Sequence, residues 1–203
     1  MTTLAWPSDE HFAPSDLEWK LKPFVIVNPG LLAAATRTRA IAGPVWWCSM
    51  TLGAVYPDEQ AEREAFFARV RGSENRARFW HFKRPVPRGT LRGAPTLSST
   101  VTAGATSATC SAASGATLRK GDMLGLGSSG QLVMVVTDAT ESGGTITWTF
   151  EPPARTSVAS GTAVVWDAPT VLFMLNQDGV GLPYRGNDEA PGIDLEWIED
   201  TAQ

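Results

Sequence analysis

Apolar and polar positions alternate without a break along residues 15–22: Leu17, Trp19 and Leu21 fall on one side, Glu18, Lys20 and Lys22 on the other. A period of two predicts a strand with one face in a core and one in water. Pro14 and Pro23 mark its expected ends. Residues 24–27 are a short, mostly β-branched run that ends at Asn28-Pro29-Gly30. That tripeptide reads as a turn, because proline presets one turn dihedral and glycine accepts the positive φ that follows. Residues 31–42 admit two readings: the alanines favour helix, whereas Thr36-Arg37-Thr38-Arg39 alternates like an exposed strand, and Gly43-Pro44 stops either. Residues 45–52 predict an apolar strand in which the adjacent Trp46 and Trp47 must face opposite sides. One ring enters the core, and the other needs a cover from within the domain or from a second subunit.

The period then changes. Residues 57–71 predict a helix: Pro57, Asp58 and Glu59 suit its first turn, Arg69 and Arg71 its last, and Gly72 stands just beyond. Phe66, Phe67 and Val70 are expected to pack on a sheet, leaving Ala61, Ala65 and Ala68 as a separate smooth strip. Alternation returns over residues 76–82, in the order Arg76, Ala77, Arg78, Phe79, Trp80, His81, Phe82, until Pro85 and Pro87 end regular pairing.

Near Gly93-Ala94-Pro95 the composition shifts to Ser, Thr, Ala and Gly with little charge. Short strands are nevertheless expected over residues 100–102, 106–110, 132–136, 146–150 and 162–166. They are separated by the polar turn Leu118-Arg119-Lys120-Gly121-Asp122 and by Gly143-Gly144. After Pro169 the earlier style resumes: residues 171–175 are an apolar run, and Ile193, Leu195 and Trp197 alternate with Asp194, Glu196 and Ile198. Asp194-Leu195-Glu196-Trp197 repeats Asp16-Leu17-Glu18-Trp19, a pattern suited to neighbouring places in one sheet. The expected class is mainly β: a sandwich or barrel-like host domain of residues 1–93 and 169–203 with one helix at 57–71. A small β-barrel or sandwich module, residues 94–168, is inserted into one of its loops, as surface loops tolerate.

Composition adds limits. A chain of 203 residues with 43% apolar content buries a normal core, and a net charge of −4 gives no global pull toward nucleic acid or anionic membrane. Cys48 and Cys110 are the only cysteines and read as idle buried thiols; two isolated cysteines without clustered histidines make no zinc site. Residues 1–6 lack a basic region followed by an apolar run, and no window approaches the ~20 apolar residues of a membrane span, so folding in a reducing cytoplasm is expected.

No catalytic motif, cofactor site or metal site is predicted. His11 and His81 have no Asp, Ser or Cys at a recognisable spacing. Gly125-Leu126-Gly127-Ser128-Ser129-Gly130 lacks the lysine of a phosphate loop, and the late acids Asp188, Glu189, Asp194, Glu196, Glu199 and Asp200 lack EF-hand spacing and read as a solvated face. A glycosidase carboxylate pair is defined only by its separation in space, so sequence alone leaves it open. Charge asymmetry says more: Arg69, Arg71, Arg76, Arg78, Lys83, Arg84, Arg88 and Arg92 cluster against a single acid, Glu74. Interleaved with Phe79, Trp80 and Phe82, they fit a nucleic-acid surface, or an edge that meets the acidic edge of an identical copy.

Several segments taken in order resemble the distal tail proteins of long-tailed bacteriophages. They are Phe12-Ala13-Pro14-Ser15-Asp16-Leu17-Glu18-Trp19, the strand from Trp46, Phe66-Phe67-Ala68-Arg69-Val70-Arg71-Gly72, and Arg78-Phe79-Trp80 leading to Pro87-Arg88-Gly89-Thr90. The middle is similar to the small β module such proteins carry, through Leu118-Arg119-Lys120-Gly121-Asp122 and Phe150-Glu151-Pro152-Pro153-Ala154-Arg155. The resemblance implies a non-enzymatic virion protein assembled in the host cytoplasm: a homo-oligomeric, hexameric ring joining the tail tube to hub and tip proteins, with the module pointing outward. It implies no membrane partner, and no nucleic acid except DNA passing through the ring. Candidate subunit-interface residues are Trp46, Trp47, Arg76, Arg78, Trp80, Arg84, Asp194 and Glu196; Trp148 and Trp166 are candidate glycan contacts if the module binds carbohydrate.

Overall fold

The computed structural model describes residues 1–29, 36–127, 131–184 and 190–201, and side chains for all of these except 25–29 and 36–42. Expectations for Gly30, residues 31–35, Ser128 to Gly130, Asp188 and Glu189 fall outside them. In chain order the elements are β1 (Thr3–Ala5), a 3-10 turn (Glu10–Phe12), β2 (Pro14–Pro29), β3 (Thr36–Leu52), α1 (Pro57–Val70), β4 (Arg76–Trp80), β5 (Ser107–Ser111) and β6 (Thr117–Leu118). There follow β7 (Met123–Leu126), β8 (Gln131–Val135), β9 (Ala139–Thr140), β10 (Thr145–Glu151), β11 (Val164–Val165), β12 (Thr170–Leu175) and β13 (Ile193–Glu199). The chain is mainly β with curled antiparallel sheets and one α-helix, consistent with a sandwich or barrel-like fold.

One sheet has the order β1-β4-β12-β13-β3-β2. It curls enough to bring Trp19 of the last strand to 6.2 Å from Phe79 of the second and 5.3 Å from Phe173 of the third. Its alternating apolar residues converge inside the curl, where Phe79 stacks on Phe173 at 4.3 Å and Trp6 meets Phe66, Phe79 and Trp197 edge-on. The helix closes this core with Phe66, Phe67 and Val70, each side chain contributing about 1.5–3 kcal/mol by leaving water. Ala61, Ala65 and Ala68 stay exposed. Tyr56 N–H donates to Glu59 Oε2 at 3.1 Å to cap the start, and Arg71 (φ 52°) and Gly72 (φ 60°) turn left-handed to end it.

A second sheet, β11-β7-β8-β10-β5, holds its own core of Leu118, Leu124, Val133, Val135, Ile146, Trp148 and Phe150. The hairpin of β7 and β8 serves both cores, because successive side chains point to opposite faces: Leu124 and Val133 enter the second, Met123 and Leu132 the first. Gly143 and Gly144, both at positive φ, make the tight turn into β10.

The prolines act differently from the sequence expectation. Pro14 does open β2, but Pro23 and Pro44 lie inside strands, and residues 28 and 29 still pair with Arg37 and Thr36 where a turn was expected. Among the described residues β2 pairs with β3 alone, so it is an edge strand, which tolerates missing donors. The register also shifts between Lys22 and Phe24, where Gly43 and Pro44 oppose the single Pro23 as a bulge. Two further expectations are corrected: residues 100–102 contribute only the isolated bridge Val101↔Val158, and β4 ends at Trp80 rather than residue 82.

Candidate subunit-interface face

Strand register assembles most of the candidate interface residues on the outer face of the six-stranded sheet. Asp16, Thr51 and Asp194 stand side by side across β2, β3 and β13, and Glu18, Ser49 and Glu196 form the next row. The row after that runs Lys20, Trp47, Ile198, Met174 and Arg76, reaching across to β12 and β4. Arg78 and Trp80 follow on β4 opposite Leu172 and Thr170. The two Asp-Leu-Glu-Trp segments therefore flank β3 in the same register. Each sends Leu and Trp inward and Asp and Glu outward, so the repeat builds an exposed acidic end on this face.

Local bonds hold the face in shape. Thr51 Oγ1 donates to Asp194 Oδ1 at 2.6 Å, Asn176 Nδ2 donates to Glu196 Oε2 at 3.3 Å, and Lys20 Nζ lies 3.6 Å from Glu18 Oε1. Trp47 is half-buried, with Lys22 Nζ 3.9 Å and Lys20 Nζ 5.9 Å from its ring centroid. Each contact of that kind is worth roughly 0.5–1 kcal/mol at an exposed site. The cover expected for this ring thus comes in part from lysines of its own neighbouring strand.

Trp46 does not belong to the face. It is 2% exposed, its indole N–H donates to Leu132 O at 3.0 Å, and its surface is spent joining the two sheets within one chain. The cationic segment is likewise engaged internally. Arg76 Nε pairs with Asp200 Oδ2 at 2.5 Å with both side chains largely buried, Arg84 Nη1 donates to Gly121 O at 3.1 Å, and Arg88 donates to Lys120 O. Arg92 donates to Gly89 O at 3.0 Å and Pro87 O at 3.1 Å. A nucleic-acid strip reading of residues 69–92 loses most of its free guanidinium groups to these carbonyls and carboxylates. His81 accepts from Arg84 Nη2 at 3.1 Å, and burial together with that guanidinium pushes its pKa down to about 4.

The glycan candidates separate too. Trp148 is 1% exposed in the second core and has no surface to stack on a sugar, a correction to its expected role. Trp166 is half-buried, donates to Gly93 O at 2.8 Å and carries the Arg92 guanidinium 5.0 Å over its ring.

Three polar residues hold the architecture, and one corrects an expectation: Glu199, read from the sequence as part of a solvated acidic face, is buried, as is the Asp200 side chain paired with Arg76. Asp122, 3% exposed, accepts from the backbone N–H of Arg88, Gly89 and Arg119 at 2.8, 3.1 and 2.7 Å, tying the chain after β4 to the turn before β7. Arg155 forks onto Glu199, Nη1 to Oε1 at 2.5 Å and Nη2 to Oε2 at 2.6 Å, while Nη2 also reaches Pro44 O at 3.1 Å. Glu199 Oε2 in turn accepts the Trp46 backbone N–H at 2.8 Å, so a side chain takes over the ladder of β3 where β13 runs out. Burial raises the Glu199 pKa, partly offset by Arg155 and the Trp46 N–H. A groove of ≈ 530 Å³ opens beside this clasp, lined in part by Phe24, Pro44, Pro153 and Ile198.

Beyond the clasp, among the described residues, β2 and β3 pair only with each other. Pairing of β13 with β3 ends at Ile198↔Trp47, whereas β2 and β3 stay paired from Leu21↔Trp46 out to Pro29↔Thr36. At ~3.3 Å per residue this is a two-stranded arm roughly 30 Å long. No protein-family model and no curated protein matches the chain.

Proposed function

We propose that the chain is a structural protein of a phage tail, a distal tail protein forming a homo-oligomeric ring between the tail tube and the hub or tip proteins, without enzymatic activity. The observation that carries this reading is the arm. A two-stranded ribbon is at best marginal in water by itself, and a long edge strand is a template for pairing with another chain. A neighbouring copy supplies what the arm lacks. The outer face adds to the argument: one end bears the exposed Asp16, Glu18, Asp194 and Glu196, and further along β2 the exposed Lys20 and Lys22 flank the half-buried Trp47, so a head-to-tail ring sets opposite charge against opposite charge between successive copies.

Native mass spectrometry of the purified chain tests the proposal. The expected result is a closed ring of six copies, and a variant with residues 25–42 replaced by a two-residue Asn-Gly turn is expected to fold as a monomer. A wild-type chain that stays monomeric both alone and with tube and hub proteins overturns the reading.

A further inference from the structure

Where the N-terminal segment crosses α1, three metal-ligating side chains meet. The carboxylates of Asp9 and Glu62 and the imidazole of His11 offer ligand atoms that all lie within 4.8 Å of one another. Asp9 immediately precedes the 3-10 turn, His11 lies within it, and Glu62 comes from the second turn of the helix. His11 Nε2 is buried and makes no hydrogen bond, although Glu62 Oε2 stands only 3.1 Å away. A carboxylate that close but off the donor axis is the arrangement of two ligands around a third atom. It is a poor arrangement for a hydrogen bond, whose strength falls steeply with misalignment.

The scaffold under the cluster is rigid where it needs to be. Arg63, 1% exposed, donates through Nε at 3.1 Å and through Nη2 to the His11 carbonyl, and through Nη1 at 2.8 Å to Gly53 O. The His11 backbone is thereby clamped from below, and its ring lies 4.7 Å from that of Phe12, itself 2% exposed. The two carboxylates are exposed and free to adjust. Four-coordinate zinc needs ligands at ~2.0–2.2 Å from the ion, hence about 3.4 Å from each other, which the acidic side chains reach by small rotations. Two carboxylates and a neutral imidazole sum to a charge that invites a dication, and among the described residues no lysine or arginine pairs with Asp9. One nitrogen with two oxygens selects a borderline first-row ion over calcium or magnesium, which take oxygen alone.

We infer that Asp9, His11 and Glu62 form a site for a divalent transition ion of the zinc type, which pins the N-terminal segment to α1. The inference is independent of ring formation. It is tested on the full chain, stripped with chelator and titrated with Co²⁺ alone, followed by visible absorption, then with Zn²⁺ by calorimetry. The expected result is saturation at one ion per chain with the intense d–d bands of a four-coordinate site, displaced by Zn²⁺, and a rise in melting temperature on adding Zn²⁺. His11→Gln is expected to abolish the bands, and Glu62→Gln, at an exposed position that leaves the fold intact, to weaken binding at least about tenfold. The inference is overturned by the absence of saturable binding, which leaves a His11–Glu62 ion pair only, or by undiminished binding in both variants.

Discussion

Arg155→Met removes the guanidinium that faces Glu199 while keeping most of the aliphatic stem. The Glu199 side chain is 2% exposed and that of Arg155 21%, so the pair is buried on the acid's side and nearly so on the base's. Removing one partner of a buried pair costs roughly 3–5 kcal/mol, because the remaining charge is left in a poor solvent. The Trp46 N–H at 2.8 Å still shares the Glu199 charge, which places the expected loss near the lower end, about 3 kcal/mol. With a urea slope of about 2 kcal/mol/M, the unfolding midpoint moves down by about 1.5 M. The pH dependence has a definite sign. Burial lifts the folded-state pKa of Glu199 above its ordinary 4.5, so the native state holds the proton more tightly than the unfolded chain. This group's contribution is then fullest below 4.5 and declines as the pH rises through the window above that value. In the variant both lowering effects of Arg155 are gone, the window widens toward neutrality, and the deficit relative to wild type is largest at pH 7 and shrinks at pH 5. Adding Glu199→Gln, which keeps an acceptor for Trp46 N–H without a charge, should recover part of the loss at pH 7. The reasoning is refuted if Arg155→Met unfolds within about 0.5 kcal/mol of wild type at pH 7, or if its deficit is the same at both pH values.

Gly89→Ala places a Cβ 2.2 Å from Thr117 O and 2.7 Å from Leu118 Cα; since both are backbone atoms, a loss of about 3 kcal/mol is expected in thermal unfolding, and an unchanged melting temperature contradicts the packing. Phe66→Ala opens the contact between α1 and the first core and should cost about 3–5 kcal/mol by urea titration. Burial pushes the Cys110 thiol up to about 12 and the Cys48 thiol higher still, so a chromogenic disulfide reagent at pH 8 should label neither until denaturant is added; rapid labelling of the native chain would disprove that burial.

Strands whose two faces differ were legible, because alternation in residues 15–22, 76–80 and 193–197 reports a core on one side only. The helix was legible to within one residue because its end signals are local: Pro57, Glu59 and Gly72 each satisfy or release a specific backbone group. What failed to show was anything decided by a partner distant in sequence. Pro23 and Pro44 read as strand ends because an edge position and a bulge are properties of pairing, not of the residues themselves. Trp148 and Trp46 read as surface candidates because a tryptophan in a thin-looking segment gives no sign that a second sheet closes over it. Arg76, Arg84 and Arg88 read as part of a free cationic strip because the acceptors that engage them, Asp200, Gly121 O and Lys120 O, sit 124, 37 and 32 residues away. The Asp9, His11 and Glu62 cluster was hidden for the same reason, its third member arriving on a helix that crosses the N-terminal segment only in the folded chain.

The clasp and the arm bear on each other. Arg155 comes from the segment after the second sheet's β10, Glu199 ends β13, and their shared contacts, Pro44 O and Trp46 N, are the last fixed points before β2 and β3 leave the sheet. The base of the arm is therefore held by a residue of the middle segment, although among the described residues that segment adds no strand pairing to the arm. If the arm carries the contact between copies, loosening the clasp should impair ring closure more than it impairs folding, since a small error in departure angle is multiplied along a ribbon of ~30 Å. Arg155→Met with Glu199→Gln is the informative variant, folded by circular dichroism yet expected to give incomplete or open assemblies by native mass spectrometry. Rings that close as readily as wild type would show that the arm finds its direction from the neighbouring copy instead.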